Sequence, residues 1–224
     1  MGLLRIYLKR NRLASYLDKA IIENSLAKKD SLFDLSLRDF IDELSRNSPA
    51  PGGGSVSALA GSLSAALVSM VINLSNFKGN YKYGAKAQTI KDKYIFLIEE
   101  DSKAFERVMS AFRMKKKSKL DQKERSKAIQ NAYKNAVGPP LQMLEITSDV
   151  LKIIKNIANS INKNCLSDLG VAIEMIESCS SGAIMNININ LEEIQDTRYK
   201  NKMNKKVALI SDRNDSLLFD LNKK

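Results

Sequence analysis

From Ser55 to about Asn76 the chain presents a stretch without a charged residue. In it Val56, Leu59, Leu63, Leu67, Met70 and Leu74 recur at helical spacing, while Ala58, Ala60, Gly61, Ser62, Ser64, Ala65 and Ala66 keep the remaining faces slim. The spacing predicts a helix that neighbouring backbones can approach closely. With no charge to hold a solvated face, that helix belongs at the centre of a helical assembly, buried on most sides, or against a second subunit. It is too rich in serine to read as a membrane span, and no apolar run approaches the ~20 residues needed to cross a bilayer.

The segment that opens this helix, Ser48-Pro49-Ala50-Pro51-Gly52-Gly53-Gly54, cannot itself be helical, because its prolines remove donors and its glycines dilute backbone order. Before it, Asp34 to Ser45 reads as a short helix with Leu37, Phe40, Ile41 and Leu44 on one face and Ser36/Asp39 spaced as a capping box. After it, a long helix is expected over about Ala85 to Lys115, with Ile90, Tyr94, Leu97, Ile98, Phe105, Val108, Met109 and Phe112 as its apolar stripe. Asp101 falls on that stripe, seven residues after Tyr94 and four before Phe105, so a carboxylate points toward the buried side.

Asp121 and Glu124 have the spacing of a further capping box, and the helix they open runs to a break at Gly138-Pro139-Pro140. Helix resumes through Leu141, Leu144, Val150, Leu151 and Ile154. Asn159 to Asn164 reads as a loop, after which Ser167 or Asp168 caps a helix carrying Leu169, Ala172, Ile173, Met175 and Ile176. Ile184 to Asn190 alternates with period two but has no strand partner elsewhere, so helix is expected there, with a last helix from Leu191. The sum is an all-α bundle of long helices in a single domain over residues 34–224, preceded by a helical extension over 1–33.

That extension carries Arg5, Lys9, Arg10 and Arg12 without an acid between residues 1 and 17; it reads as an amphipathic packing helix rather than a secretory signal. Lysine and arginine exceed aspartate and glutamate by 36 − 25 = 11 over the 224 residues, which favours an anionic partner. The excess gathers at Lys115, Lys116, Lys117 and Lys119, and again at Lys200, Lys202, Lys205, Lys206, Lys223 and Lys224. No nucleic-acid module or aromatic interleaving accompanies these runs, so nucleic acid is not the expected partner. Histidine is absent, which excludes Ser-His-Asp relays, Cys-His pairs and histidine metal clusters. With only Cys165 and Cys179, neither a disulfide framework nor a metal site is expected; reduced thiols suit a cytoplasmic protein. Any acid or base is Asp, Glu, Lys, Tyr or Cys.

Ser48-Pro49-Ala50-Pro51-Gly52-Gly53-Gly54-Ser55-Val56-Ser57-Ala58-Leu59, followed by the small-residue helix ending at Met70-Val71, resembles the opening motif of the formimidoyltetrahydrofolate cyclodeaminase and methenyltetrahydrofolate cyclohydrolase family. Further matches follow in order at Glu100 to Phe105, Ala136 to Leu141, Ser167-Asp168-Leu169-Gly170-Val171-Ala172, and Asn186 to Leu191, so the resemblance covers roughly residues 34 to 200. One segment departs: where the family usually has a threonine-glycine-lysine-rich run leading to a tyrosine, this chain reads Ser75-Asn76-Phe77-Lys78-Gly79-Asn80-Tyr81, and Lys78 or Lys82 takes the basic position.

The resemblance implies a helical homodimer that binds a tetrahydrofolate derivative, with no cofactor beyond that substrate and no metal. It implies cyclohydrolase or cyclodeaminase chemistry, in which a carbon between two nitrogens becomes tetrahedral and protons move on and off nitrogen and oxygen. The leaning is to cyclohydrolase, since a lone domain has no neighbouring source of formimino substrate; the alternative is an inactive folate-binding or structural dimer on the same scaffold. The expected catalytic residues are Asp101, whose charged form burial would disfavour, Asp168, whose charged form a helix start would favour, and Lys78. Pro51, Gly52, Gly53, Gly54 and Ser55, whose backbone donors can approach a ligand at a helix N-terminus, together with Tyr81 and Asn188, are the expected substrate-binding set. Lysines near the pocket would hold the glutamate tail of a polyglutamylated folate.

Overall fold

The computed structural model describes residues 31, 32 and 35–222. The expected extension over 1–33 lies almost wholly outside the described residues, as does the start of the first helix at Asp34. Residues up to Phe40 belong to one compact unit and those from Ile41 to a second. Helix α1 (Leu37–Leu44) begins with the Asp39 N–H donating to Ser36 Oγ at 3.2 Å. The rest of the bundle is α2 (Gly53–Asn73), α3 (Asn80–Phe112), α4 (Lys119–Ala136), α5 (Gly138–Ile157), a 3-10 turn (Lys163–Cys165), α6 (Leu166–Glu192) and α7 (Thr197–Asn222). No strand occurs among the described residues, and Ile184 to Asn190 lies within α6.

Helix α2 is the axis of the bundle, and its small residues decide how. Ser55, Ala58, Ser64, Ala65, Val68, Ser69 and Ile72 are buried, whereas Val56, Leu63, Met70 and Leu74 are 38%, 47%, 37% and 57% exposed. Val56, Leu63, Met70 and Leu74 thus turn outward, because the inward face of the first turns must admit other helices at close range, while Val68 and Ile72 fill the core farther along. At Gly61 a Cβ would stand 2.6 Å from the Tyr94 ring of α3, and at Gly182 of α6 a Cβ would meet the Ser57 hydroxyl of α2. The buried serines bond across and along these contacts: Ser64 Oγ donates to the Ala172 carbonyl of α6 at 2.6 Å, and Ser69 Oγ accepts from Gln88 of α3 at 3.0 Å. By length and hydropathy α2 could also cross a bilayer, contrary to the expectation that no run approached that length, yet 61% of its most apolar window is buried inside the bundle.

Both α3 and α6 run antiparallel to α2. Gly54 meets Asp101, Gly61 meets Tyr94 and Gly84 approaches Asn73 on one side, while Gly53 is nearest Asn186 and Ser57 nearest Gly182 on the other. Tyr94 locks in α5: fully buried, its hydroxyl donates to the Met143 carbonyl at 3.1 Å and lies 3.2 Å from Thr147 Oγ1. Helix α7 closes the bundle on α5 through the buried pair Ser148 and Asn214 and the Lys206–Glu145 ion pair at 2.6 Å.

Several helix ends differ from the sequence reading. The capping box at α4 is Ser118 with Asp121, not Asp121 with Glu124: Asp121 N–H donates to Ser118 Oγ at 3.0 Å, and Ser118 N–H to Asp121 Oδ2 at 2.9 Å. The 3-10 turn runs directly into α6, so Cys165 is the cap and Asp168 sits inside the first turn. Leu191 is the buried end of α6; α7 starts at Thr197, where Asp196 Oδ1 accepts from Tyr199 N–H at 3.0 Å. Val137-Gly138-Pro139-Pro140 breaks α4 from α5 without an intervening loop, the prolines taking first-turn positions where no N–H is needed.

Candidate functional site

The turn over Ser48–Gly52 brings the chain into α2 through a cis peptide bond at Ala50–Pro51, with Pro51 buried. The first N–H groups of α2 have no partner within the helix, and they point outward from its N-terminus. One partner comes from α3: the carboxyl group of Asp101 lies against this end of α2, where a Cβ on Gly54 would coincide with it. The Ser55 backbone N–H and hydroxyl both donate to Asp101, the hydroxyl at 3.2 Å from Oδ2. A carboxyl borne by one helix therefore caps another, and glycine at 54 is what makes room.

Asp101 is pulled two ways. Burial pushes its pKa up from the usual carboxylate range, ahead of the two hydrogen bonds from Ser55, which pull it down. The net rise favours a carboxyl that can hold a proton nearer neutrality, and Asp101 keeps partial exposure through which to exchange it. The thiols do not compete for this role: Cys165 and Cys179 are buried and unpaired, and burial pushes Cys179 up to about 12.

Two further elements reach this end of the bundle. Asn186 of α6 lies near Gly53, its Nδ2 3.8 Å from where a Cβ there would stand. One turn on, Asn190 donates to the Asn186 carbonyl at 2.8 Å and to the Ala136 carbonyl at 3.2 Å, tying in the α4–α5 break. Asn188, the expected ligand-binding asparagine, is exposed beside Met185 and Ile189, whereas Asn186 is the asparagine nearest Gly53. Helical phase decides the difference, since residues 183, 187 and 191 carry the buried face of α6.

Lys78, Tyr81 and Asp168 lie at the opposite end. Lys78 and Tyr81 are exposed just beyond the C-terminus of α2, and the loop before Asp168 is fastened there by Asn162 N–H donating to Ser75 Oγ at 2.8 Å. Asp168 and Asn186 stand about 27 Å apart along α6 at 1.5 Å per residue. One subunit therefore does not bring Asp101 and Asp168 together. The open groove between α3 and α5, lined by Thr89, Asp92, Lys93, Phe96, Gln142 and Glu145, includes none of the expected site residues.

Residues 36–209 match the formiminotransferase-cyclodeaminase family model. The chain belongs to the formiminotransferase-cyclodeaminase family. It is 32% identical over 193 residues to the formimidoyltransferase-cyclodeaminase of Mus musculus, covering 80% of this chain and 35% of that one. It is 30% identical over 172 residues to the methenyltetrahydrofolate cyclohydrolase of Methylorubrum extorquens, covering 73% of this chain and 83% of that one. Among solved structures, the formiminotetrahydrofolate cyclodeaminase of Thermotoga maritima superposes with a TM-score of 0.71 at 27% identity, covering 85% of this chain and 95% of that one. The chain thus spans about a third of the mouse relative's length.

For this member of the formiminotransferase-cyclodeaminase family, the matching segments sort by position. The proline-glycine opening, Glu100–Phe105, Ala136–Leu141 and Asn186–Leu191 gather at the N-terminal end of α2. The Ser167–Ala172 segment falls at the other. Three polar residues at the first cluster were not expected from sequence: Ser102, 3.0 Å from Ser55 Oγ, and the two asparagines 186 and 190. The asparagines share one helical face at i and i+4, a spacing visible in the sequence; Ser102 gives no such signal, because its role depends on packing against α2.

Proposed function

We propose that this chain is a folate one-carbon enzyme, a methenyltetrahydrofolate cyclohydrolase, a formimidoyltetrahydrofolate cyclodeaminase, or both. The observation that carries the reading is a partly desolvated carboxyl, Asp101, lodged at a glycine-opened helix N-terminus in a member of this family. Gly52 and Gly53 leave the α2 N-terminus open to a ligand carbonyl or carboxylate, Gly54 makes room for Asp101, and Pro51 shapes the turn that presents them. In the hydrolytic direction water adds to the methenyl carbon and gives a proton to Asp101; the ring C–N bond then breaks as Asp101 returns that proton to nitrogen, and the hydroxyl on carbon releases its proton to solvent as the formyl C=O forms. In cyclodeamination a ring nitrogen attacks the formimino carbon, and Asp101 passes a proton to the departing amine, which leaves as ammonia. Either path crosses one tetrahedral carbon and needs one group able to hold and release a proton.

The active species is a homodimer built on the outward stripe of α2. A solvent-facing row of Val56, Leu63, Met70 and Leu74, most of it on a helix with no charged residue in a chain of net charge +11, calls for a cover, and a second copy offers the same uncharged row. Two such helices packed antiparallel about a two-fold axis set the N-terminal end of one α2 beside the C-terminal end of the other. Lys78, Tyr81 and Asp168 of the partner subunit then come to the end that holds Asp101. The exposed Lys115, Lys116 and Lys117, in the turn between α3 and α4, serve to hold a polyglutamate tail. The reduced, buried cysteines suit a cytoplasmic setting.

The test follows methenyl absorbance and ammonia release with the purified chain and each folate. Acceleration of either that falls at least ~100-fold in Asp101→Asn is the expected result. Wild-type protein that binds folate but accelerates neither reaction overturns the enzyme reading and leaves the scaffold as a folate-binding dimer, the outcome suggested by the altered Ser75–Tyr81 segment.

A further inference from the structure

Ser55 is fully buried, so it cannot meet a substrate as its place beside the glycines suggested. Its hydroxyl instead stands at the centre of three polar atoms: the Ile98 carbonyl at 3.1 Å, Asp101 Oδ2 at 3.2 Å and Ser102 Oγ at 3.0 Å. A serine hydroxyl has one proton to give and two lone pairs to receive with, so it cannot donate to all three at once. Ser102 is also buried, and its hydroxyl can either donate to Ser55 or accept from it.

We propose that Ser55 and Ser102 form a two-state hydroxyl relay that holds Asp101 in place in both of its protonation states, making Ser55 a positioning residue rather than a ligand contact. With Asp101 ionised, Ser102 donates to Ser55 and Ser55 donates to Asp101 Oδ2, so the carboxylate receives a hydroxyl and the Ser55 N–H together. With Asp101 protonated, its O–H donates to Ser55 Oγ, and Ser55 turns its own proton to the Ile98 carbonyl. Only the proton on Asp101 is gained or lost; each change needs a hydroxyl rotation and no movement of backbone. A buried carboxyl that must cycle between two charge states is thereby spared an unpaired partner in either one.

Within one chain no charged side chain acts on Asp101 beside burial and the Ser55 hydrogen bonds. Helix α2 carries no charged residue, and the facing residue of α6 is Asn186. Ala136 to Pro140, where α4 gives way to α5, contributes no titratable group. On α3 itself the neighbouring Glu100 is engaged outward by Lys103 at 3.5 Å and Arg107 at 3.8 Å.

This inference rests on the role proposed for Asp101, and the experiment separates the two. Asp101 is titrated directly by carbon-13 NMR of labelled aspartate, its resonance assigned by loss in Asp101→Asn, in wild type, Ser55→Ala and Ser102→Ala. Ser55→Ala keeps the backbone N–H and removes the hydroxyl, and its Asp101 midpoint is expected to rise by about one pH unit, a tenfold change in proton affinity. Ser102→Ala moves it the same way by less, and Ser55→Thr, which restores a hydroxyl, returns it toward wild type. If Asp101 is the acid and base, the pH–kcat profile moves with the NMR midpoint while KM stays put. A midpoint that moves without the rate profile upholds the relay and removes Asp101 from catalysis. Unchanged midpoints in folded Ser55→Ala and Ser102→Ala overturn the relay, whatever the activities.

Discussion

The carboxyl group of Asp101 fills the space that a side chain at Gly54 would take. The neighbouring Gly53 has no such constraint, since a Cβ there would come no nearer than 3.8 Å to Asn186. Gly54→Ala is therefore expected to expel the carboxyl from the α2 N-terminus, lowering kcat about 100-fold through misplacement of Asp101 and costing about 1–3 kcal/mol of stability from the clash. Gly53→Ala, which leaves Asp101 in place, should keep kcat within a few-fold and act on KM instead. Rate measurements and thermal melts on both variants check this, and equal losses at the two positions would show that the glycines serve only the turn.

Asp101→Asn tests the energetic side of the same contact. Because the folded state raises the Asp101 pKa above its unfolded value, proton binding favours folding. That contribution is whole below the unfolded pKa and is lost as pH rises through the folded one, above which the wild type carries an ionised, desolvated carboxylate. Asparagine keeps an acceptor for Ser55 without that charge. The variant should melt above wild type at pH 7.5, with the gap closing as the solution is acidified below the ordinary carboxylate range, while activity falls at least ~100-fold. A variant that melts below wild type at neutral pH would mean that the Ser55 hydrogen bonds outweigh desolvation.

Period and composition made most of this bundle legible. The Tyr94–Leu97–Ile98 face of α3, the break at Pro139 and the helical reading of Ile184–Asn190 each follow from spacing alone. What stayed hidden depends on which helix lies opposite. Val56, Leu63 and Met70 form a stripe that sequence offers as core, yet Gly61 and Gly182 let α3 and α6 approach so closely that the inward face toward the N-terminal half of α2 is built of Ser, Ala and Gly. The asparagine motif was found, but choosing Asn186 over Asn188 required the phase of α6 against Gly53. Asp168 lies in the first turn of α6 rather than at its cap, and that it stands some 27 Å from Asn186 emerges only once α6 is laid along α2.

That separation makes the dimer testable. Leu63→Glu places a charge in the middle of the outward α2 stripe and is expected to give a folded monomer by sedimentation, with activity lost. Asp101→Asn and Asp168→Asn homodimers should each be inactive, yet subunit exchange between them should restore about a quarter of wild-type activity. Half the dimers would then be mixed, and one of the two sites in each would be intact. A fully active monomer, or mixtures that never recover, would place the whole site within one subunit.

The lysines at the α3–α4 turn give the last test. Helix α3 continues 11 residues past Asp101 to Phe112, so the exposed Lys115, Lys116 and Lys117 stand roughly 16 Å or more beyond the carboxyl along the helix, at 1.5 Å per residue. At that distance they cannot touch the reacting carbon, but a tail of several glutamates leading away from it can reach them. Exposed ion pairs contribute about 0.5 kcal/mol each, so three together amount to roughly a tenfold change in affinity. Replacing all three by glutamine should accordingly raise KM for polyglutamylated folate about tenfold, leave KM for the monoglutamate and kcat for both unchanged, and lose its effect in 1 M salt, where the Debye length shrinks to about 3 Å. Equal KM for the two substrates in wild-type protein at low salt would mean that the tail binds elsewhere or not at all, and that the basic turn is simply a solvated surface.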